Sequence, residues 1–168
     1  MKRRLALALV CAVALPMLAL AGVLTVGISA ACAADDSESA AVRDPDYAAG
    51  KQAVERKDWR EALNRFRQAA LRDPDNPDLL SYLGFSYQNL GQLDAAFRHY
   101  KRALELDPRH RGAHEHIGEV YLRKGDLVGA ERHLAALRKI CGRGCAELAD
   151  LERDITAYRK RTGAGRSP

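Results

Sequence analysis

No glycine-rich phosphate loop, and no nucleophile set beside a base in a recognised motif, occurs in these 168 residues, which leaves nucleotide-dependent and hydrolytic chemistry without a footing. Excess charge is also in short supply. There are 27 basic residues against 22 acidic ones, and three of the basic ones are Lys2, Arg3 and Arg4 at the start. Without those three the balance is 24 against 22, a net charge of +2, too small to imply a nucleic-acid partner. Cysteine is scarce: of four, Cys11 and Cys32 fall near the start and only Cys141 and Cys145 come later.

The start of the chain explains that asymmetry. Lys2, Arg3 and Arg4 precede an uncharged run from Leu5 to Ile28, and Ala31-Cys32-Ala33 offers small residues around a cleavage point. This is the pattern of a secretory signal peptide over residues 1–33. It places the mature chain in an exported, oxidising compartment, the periplasm by leader style, with a eukaryotic secreted origin as the alternative. The apolar run approaches bilayer-spanning length, so an uncleaved leader would make a membrane-tethered assembly factor facing the same compartment. Pro16 and the small residues favour cleavage, and Ser29 stands where a lipoprotein signal ending at Cys32 would carry an aliphatic residue. Residues 34–42 are small and acidic and read as a flexible spacer; residues 162–168 read as a disordered tail.

Between these ends the sequence repeats. Gly50, Gly84 and Gly118 are spaced by 34 residues, as are Ala62, Ala96 and Ala130. Phe66, Tyr100 and Leu134 keep the interval, together with Trp59, Leu93 and Leu127, and with Ala69, Ala103 and Leu137. Each unit holds two helical patterns. In the middle one Leu80, Leu83, Tyr87 and Leu90 recur at helical spacing after the Asn76-Pro77-Asp78 start signal, and Leu93, Ala96, Phe97, Tyr100 and Leu104 follow Gly91. A glycine inside a helix costs about 1 kcal/mol relative to alanine. The expectation is that Gly84 faces Ala96 across an antiparallel hairpin and lets the two backbones approach.

Leu80-x-x-Leu83-Gly84-x-x-Tyr87, Ala96-x-x-x-Tyr100 and Pro108 resemble the tetratricopeptide repeat. The units are residues 43–76, 77–110 and 111–144, with Asp46, Ala49, Gly50 and Ala53 making the first the most degenerate. The resemblance implies an all-α, right-handed superhelix of three hairpins. Leu148, Leu151, Ile155 and Tyr158 then give residues 145–161 the face of a capping helix.

Local chemistry is sparse. Cys141-Gly142-Arg143-Gly144-Cys145 suits a disulfide across a glycine turn. Its spacing is one residue too long for a thioredoxin-type pair, and no histidine follows for haem attachment. A redox accessory role and a metal-bound or free pair are the alternatives. His110, His114 and His116 do not share a face of the repeat, so neither metal nor cofactor is expected. His99 and His133 share a column on the outer helices and are expected in solvent. Asp58-x-x-Glu61 begins a helix as a capping box.

The resemblance also implies a concave peptide-binding side lined by the first helix of each hairpin. Carried over in register, it holds Tyr47, Lys51, Val54 and Glu55; Ser81, Tyr82, Phe85, Gln88 and Asn89; and Glu115, His116, Glu119, Leu122 and Arg123. The basic clamp that chaperone-binding members use for a C-terminal carboxylate is missing, with Lys51 the only basic residue in the first two sets. Tyr47, Tyr82 and Phe85 form an aromatic surface, and Glu115 with Glu119 an acidic stripe. The expected partner is a protein or peptide segment with apolar residues and a nearby basic group, bound by a monomer with no enzymatic activity. The alternative is an idle groove with Tyr82 and Phe85 partly buried.

Overall fold

The computed structural model describes residues 44–163; the expected leader, the spacer and residues 164–168 lie outside them. Among the described residues seven helices follow one another with no strand: α1 (Pro45–Glu55), α2 (Trp59–Ala70), α3 (Pro77–Asn89), α4 (Leu93–Leu106), α5 (Arg111–Arg123), α6 (Leu127–Cys141) and α7 (Ala146–Thr162). Helices α1 to α6 pair as three antiparallel hairpins stacked in a right-handed superhelix, and α7 packs across both α5 and α6. No helix among the described residues is long and apolar enough to cross a membrane.

Local chemistry sets the helix starts. The Asp44 carboxylate accepts from the backbone N–H groups of Asp46 and Tyr47 at 2.8 and 3.1 Å, and Asn76 Oδ1 accepts from Leu79 at 3.0 Å. Pro45 and Pro77, having no N–H to leave unpaired, occupy the first helical position. Asp126 caps α6 through Gly129. At α2 the expected capping box is only half made. Asp58 accepts from the Glu61 N–H, but the Glu61 carboxylate turns to Arg65 at 2.7 Å. The N–H that Glu61 would have reached is already given by Asp58 to the Ala53 carbonyl in the hairpin turn. That turn repeats: Lys57, Gly91 and Gly125, again 34 apart, take φ values of 59°, 77° and 82°. Two of these left-handed positions carry the residue that adopts them freely.

The hairpins close differently from the expectation for Gly84. A Cβ on Gly84 would fall 2.6 Å from the Tyr100 ring, whose atoms, not those of Ala96, are its nearest neighbours. Gly50 stands in the same way against Phe66 at 2.6 Å. The glycine column therefore accommodates the ring of the 66/100 column. In the third hairpin that column holds Leu134, too short for the role, and the space beside Gly118 is taken by Leu151 of α7, at 2.7 Å from the same imagined atom.

The buried side chains fall into two clusters. One, built on Phe66, Leu79, Tyr100, Ile117 and Val120, runs from α1 into α5. The other gathers Leu122, Leu134, Leu137, Leu151 and Ile155 from α5, α6 and α7, with Tyr121 packed against both. Between α6 and α7, Gly142 and Gly144 adopt φ of 52° and 121° and bring the sulfurs of Cys141 and Cys145 together, with Cα atoms 5.6 Å apart.

Candidate functional site on the concave face

Helix α3 reaches α5 directly, so the first helices of the second and third hairpins form a continuous inner wall. On it lies a cleft of about 390 Å³ lined by Tyr82 and Phe85 of α3, His116 of α5, Asp78 and His110 at the helix starts, and Glu147 of α7. A second cleft of about 210 Å³ continues along α5 and α7 past Glu119, Leu122, Arg123, Tyr158 and Arg161. Helix α7, expected only as a cap, thus supplies one side of both clefts. Its part was hidden in the sequence because Glu147 and Tyr158 lie outside the repeat register.

The expected aromatic surface is partly an aromatic core. Tyr47 is only 6% exposed, edge-on to Phe66 and to Tyr82 at centroid distances of 5.9 and 5.6 Å. Tyr82 stacks on Phe66 at 4.9 Å. Phe85 lies edge-on to Trp59 at 5.5 Å and stacks on the His116 imidazole at 4.8 Å. Tyr82 and Phe85 keep partial exposure and face the first cleft, whereas Tyr47 is withdrawn beneath. Exposed Lys51 carries its ammonium 6.0 Å from the Tyr47 ring centre.

Gln88 does not line the groove as a free amide. It is 1% exposed, accepts from the Tyr100 hydroxyl at 3.0 Å and donates to the Glu119 carboxylate at 2.5 Å. The cause is Tyr100: a buried phenol needs a partner, and the amide nearest to it is drawn inward. Arg123 donates to the Gln88 carbonyl at 3.3 Å, and Asn89 turns its amide back to the Phe85 carbonyl at 2.9 Å. The Gln88–Glu119 and Arg123–Gln88 bonds brace α3 against α5, while that of Asn89 stays within α3.

The two glutamates behave differently. Burial opposes the charge of Glu119, but His116, Gln88 and Arg123 outweigh it and hold the carboxyl below its ordinary value. Glu115 is half-buried, and among the described residues no hydrogen bond or ion pair reaches its carboxylate. Burial pushes its pKa up to about 7; His116 partly offsets this, while Glu119, Asp150 and Glu147 push the same way. The Glu115 carboxylate thus sits within 4.8 Å of the His116 imidazole and the Glu119 carboxylate, with Glu147 and Asp150 of α7 adding negative charge nearby.

The histidines serve separate places. His110 caps α5 through Nδ1, which accepts from Ala113, so its Nε2 carries the proton and donates to Asp78 at 3.0 Å. His114 is buried against α6, and His116 stands between Phe85 and Glu119. The expectation of solvated outer histidines is corrected. His99 stacks on Tyr87 at 5.2 Å, and burial lowers its pKa. His133 is packed between His114 and Tyr121. Their column looks exposed in sequence because the rings that cover it come from the preceding helix.

Residues 77–110 and 47–85 each match a family model described as tetratricopeptide repeat. Over 105 residues the chain is 30% identical to a TPR repeat-containing thioredoxin, TTL4, of Arabidopsis thaliana, covering 62% of this chain and 15% of that protein. The chain therefore spans about a seventh of that relative's length. Among solved structures it is similar to PcrH in complex with the chaperone binding region of PopD, with a TM-score of 0.63, 24% identity, and coverage of 71% of this chain and 92% of that one. It is also similar to the type III secretion chaperone SycD of Yersinia enterocolitica in complex with a peptide of the translocator YopD, with a TM-score of 0.63, 19% identity, and coverage of 79% and 100%. At these identities the likeness is one of fold.

Proposed function

We propose that this tetratricopeptide-repeat protein is a non-enzymatic scaffold that holds a segment of another protein in its concave groove. The observation that carries the reading is the cleft walled by Tyr82, Phe85 and His116, with the half-buried Glu115 carboxyl within 4.8 Å of that histidine. A segment with an apolar side chain against those rings and a nearby lysine or arginine facing Glu115 satisfies both features. The similar PcrH and SycD structures hold protein segments, which supports a bound segment here. The leader pattern and the joined Cys141–Cys145 pair support an exported, oxidising location, periplasmic in a bacterium, with the protein acting as a monomer.

The test is photo-cross-linking in the native compartment from position 85 in the groove, with exposed Arg98 on α4 as the control position. Captured segments should pair an apolar residue with a basic one, and Glu115→Gln should weaken binding about tenfold, or ~1.4 kcal/mol. Because the raised pKa leaves Glu115 neutral at low pH, affinity for a basic segment should rise as pH increases through about 7. Equal capture from both positions, or segments without basic residues, would remove the reading.

A further inference from the structure

The third hairpin contains a pair of imidazoles that the groove does not use. His114 on α5 and His133 on α6 bring their Nδ1 atoms to 2.9 Å, and the Nε2 of His114 lies 3.1 Å from the Pro108 carbonyl. A carbonyl only accepts, so this Nε2 must carry a proton. Neutral His114 then has a bare Nδ1, which can only accept, and the Nδ1 of His133 must be the donor. The bonding pattern fixes both tautomers without further choice.

We propose that the His114–His133 pair is an acid-sensitive latch between α5 and α6, able to hold one added proton in the folded hairpin where the unfolded chain holds two. One proton can be added at His133 Nε2, which leaves the Nδ1–H···Nδ1 bond intact. A second would have to go onto His114 Nδ1, and two N–H groups would then face each other at 2.9 Å between two cations. The surroundings reinforce this limit. Tyr121 stacks on His133 at 5.6 Å, and the charged or titratable groups felt by the pair are Asp107 and His110 from the α4–α5 connection and Arg132 on α6. Burial lowers both imidazoles, assisted at His133 by His114 and Arg132, which takes His133 down to about 4. His110 pushes His114 the same way, while the Pro108 carbonyl and Asp107 oppose it.

The sign follows from these shifts. Folded-state values below the unfolded one mean that the unfolded chain binds more protons between about pH 4 and about 6.5, so stability is complete above that window and drains away as pH falls through it. A deficit of one proton lowers the folding equilibrium constant about tenfold per pH unit. The opposite face of α5 carries Glu115, His116 and Glu119, so loosening the latch would take one wall of the groove with it.

The test is an NMR titration of the imidazole C–H signals in the whole chain from pH 8 to 4, paired with urea unfolding of wild type and His133→Asn across that range. Asparagine keeps a donor near the Nδ1 position and does not titrate. Between pH 6.5 and 4 the folded wild-type pair should stay largely neutral, taking up no more than one proton as pH nears 4, against two on the unfolded chain. His133→Asn leaves a deficit of one at His114, so wild type should lose about tenfold more per pH unit than His133→Asn. Both imidazoles titrating near 6.5 with the hairpin intact, or the same pH slope in the two proteins, would overturn the proposal.

Discussion

Replacing Gly84 with alanine separates two effects of opposite sign. In an isolated helix the change would gain about 1 kcal/mol. In the hairpin the new Cβ would lie 2.6, 2.7 and 2.9 Å from three atoms of the Tyr100 ring, roughly 1 Å inside the ~3.5–4.0 Å contact distance of carbon atoms. The ring has little freedom to move, since Tyr100 is fully buried and its hydroxyl is held by Gln88, itself held by Glu119. Overpacking costs about 1–3 kcal/mol, and loss of the Tyr100–Gln88 bond would leave buried polar groups unpaired at about 1–3 more. Set against the helix gain, Gly84→Ala should destabilise by about 1–5 kcal/mol, or roughly 4 °C in Tm for each kcal/mol. The assay is thermal and urea unfolding of Gly84→Ala in wild-type and Tyr100→Ala backgrounds. Once the ring is gone, the alanine should be neutral or stabilising by about 1 kcal/mol. A harmless Gly84→Ala in the wild-type background, or an equal penalty in both, would mean that the ring is not what the glycine makes room for.

Two further substitutions probe the first hairpin. Lys57 occupies with φ 59° the turn position held by Gly91 and Gly125, so Lys57→Gly should raise stability by about 0.5–1 kcal/mol, read as a higher Tm; no gain would show that the turn is unstrained. Asp44→Ala removes the α1 cap and should cost ~1 kcal/mol at neutral pH. The Arg72 guanidinium, bonded at 2.6 and 2.8 Å, together with the Tyr47 and Asp46 N–H groups, holds the Asp44 carboxyl down to about 2 against the opposing effect of burial. Its contribution is therefore complete above about pH 3.8 and fades as pH falls toward 2, so unfolding midpoints of wild type and variant should converge there.

The helices were legible because their signals are local: Asn76-Pro77 opens α3, Gly91 ends the hairpin turn, and the 34-residue columns set the pairing. What a column touches was not. Gly84 meets Tyr100 instead of Ala96 because ring length decides which side chain fills the gap, and Gly118 meets Leu151 because Leu134 is too short. The groove was legible to the same extent. Tyr82, Phe85, Glu119 and Arg123 line its clefts, but Gln88 turns inward for a phenol 12 residues away and Tyr47 sinks beneath its neighbours. His133 was misread because its burial comes from His114, 19 residues earlier, and from Tyr121.

The loan of Leu151 to the Gly118 notch bears on how the array comes apart. Stacked repeats ordinarily fray unit by unit from their ends, since a terminal unit has one face uncovered. Here the last hairpin cannot peel away alone, because α5, α6 and α7 share one oily interior. Opening at that end should involve three helices together, whereas α1 buries only Tyr47, Gly50 and Ala53, so limited proteolysis should cut on the α1 side first.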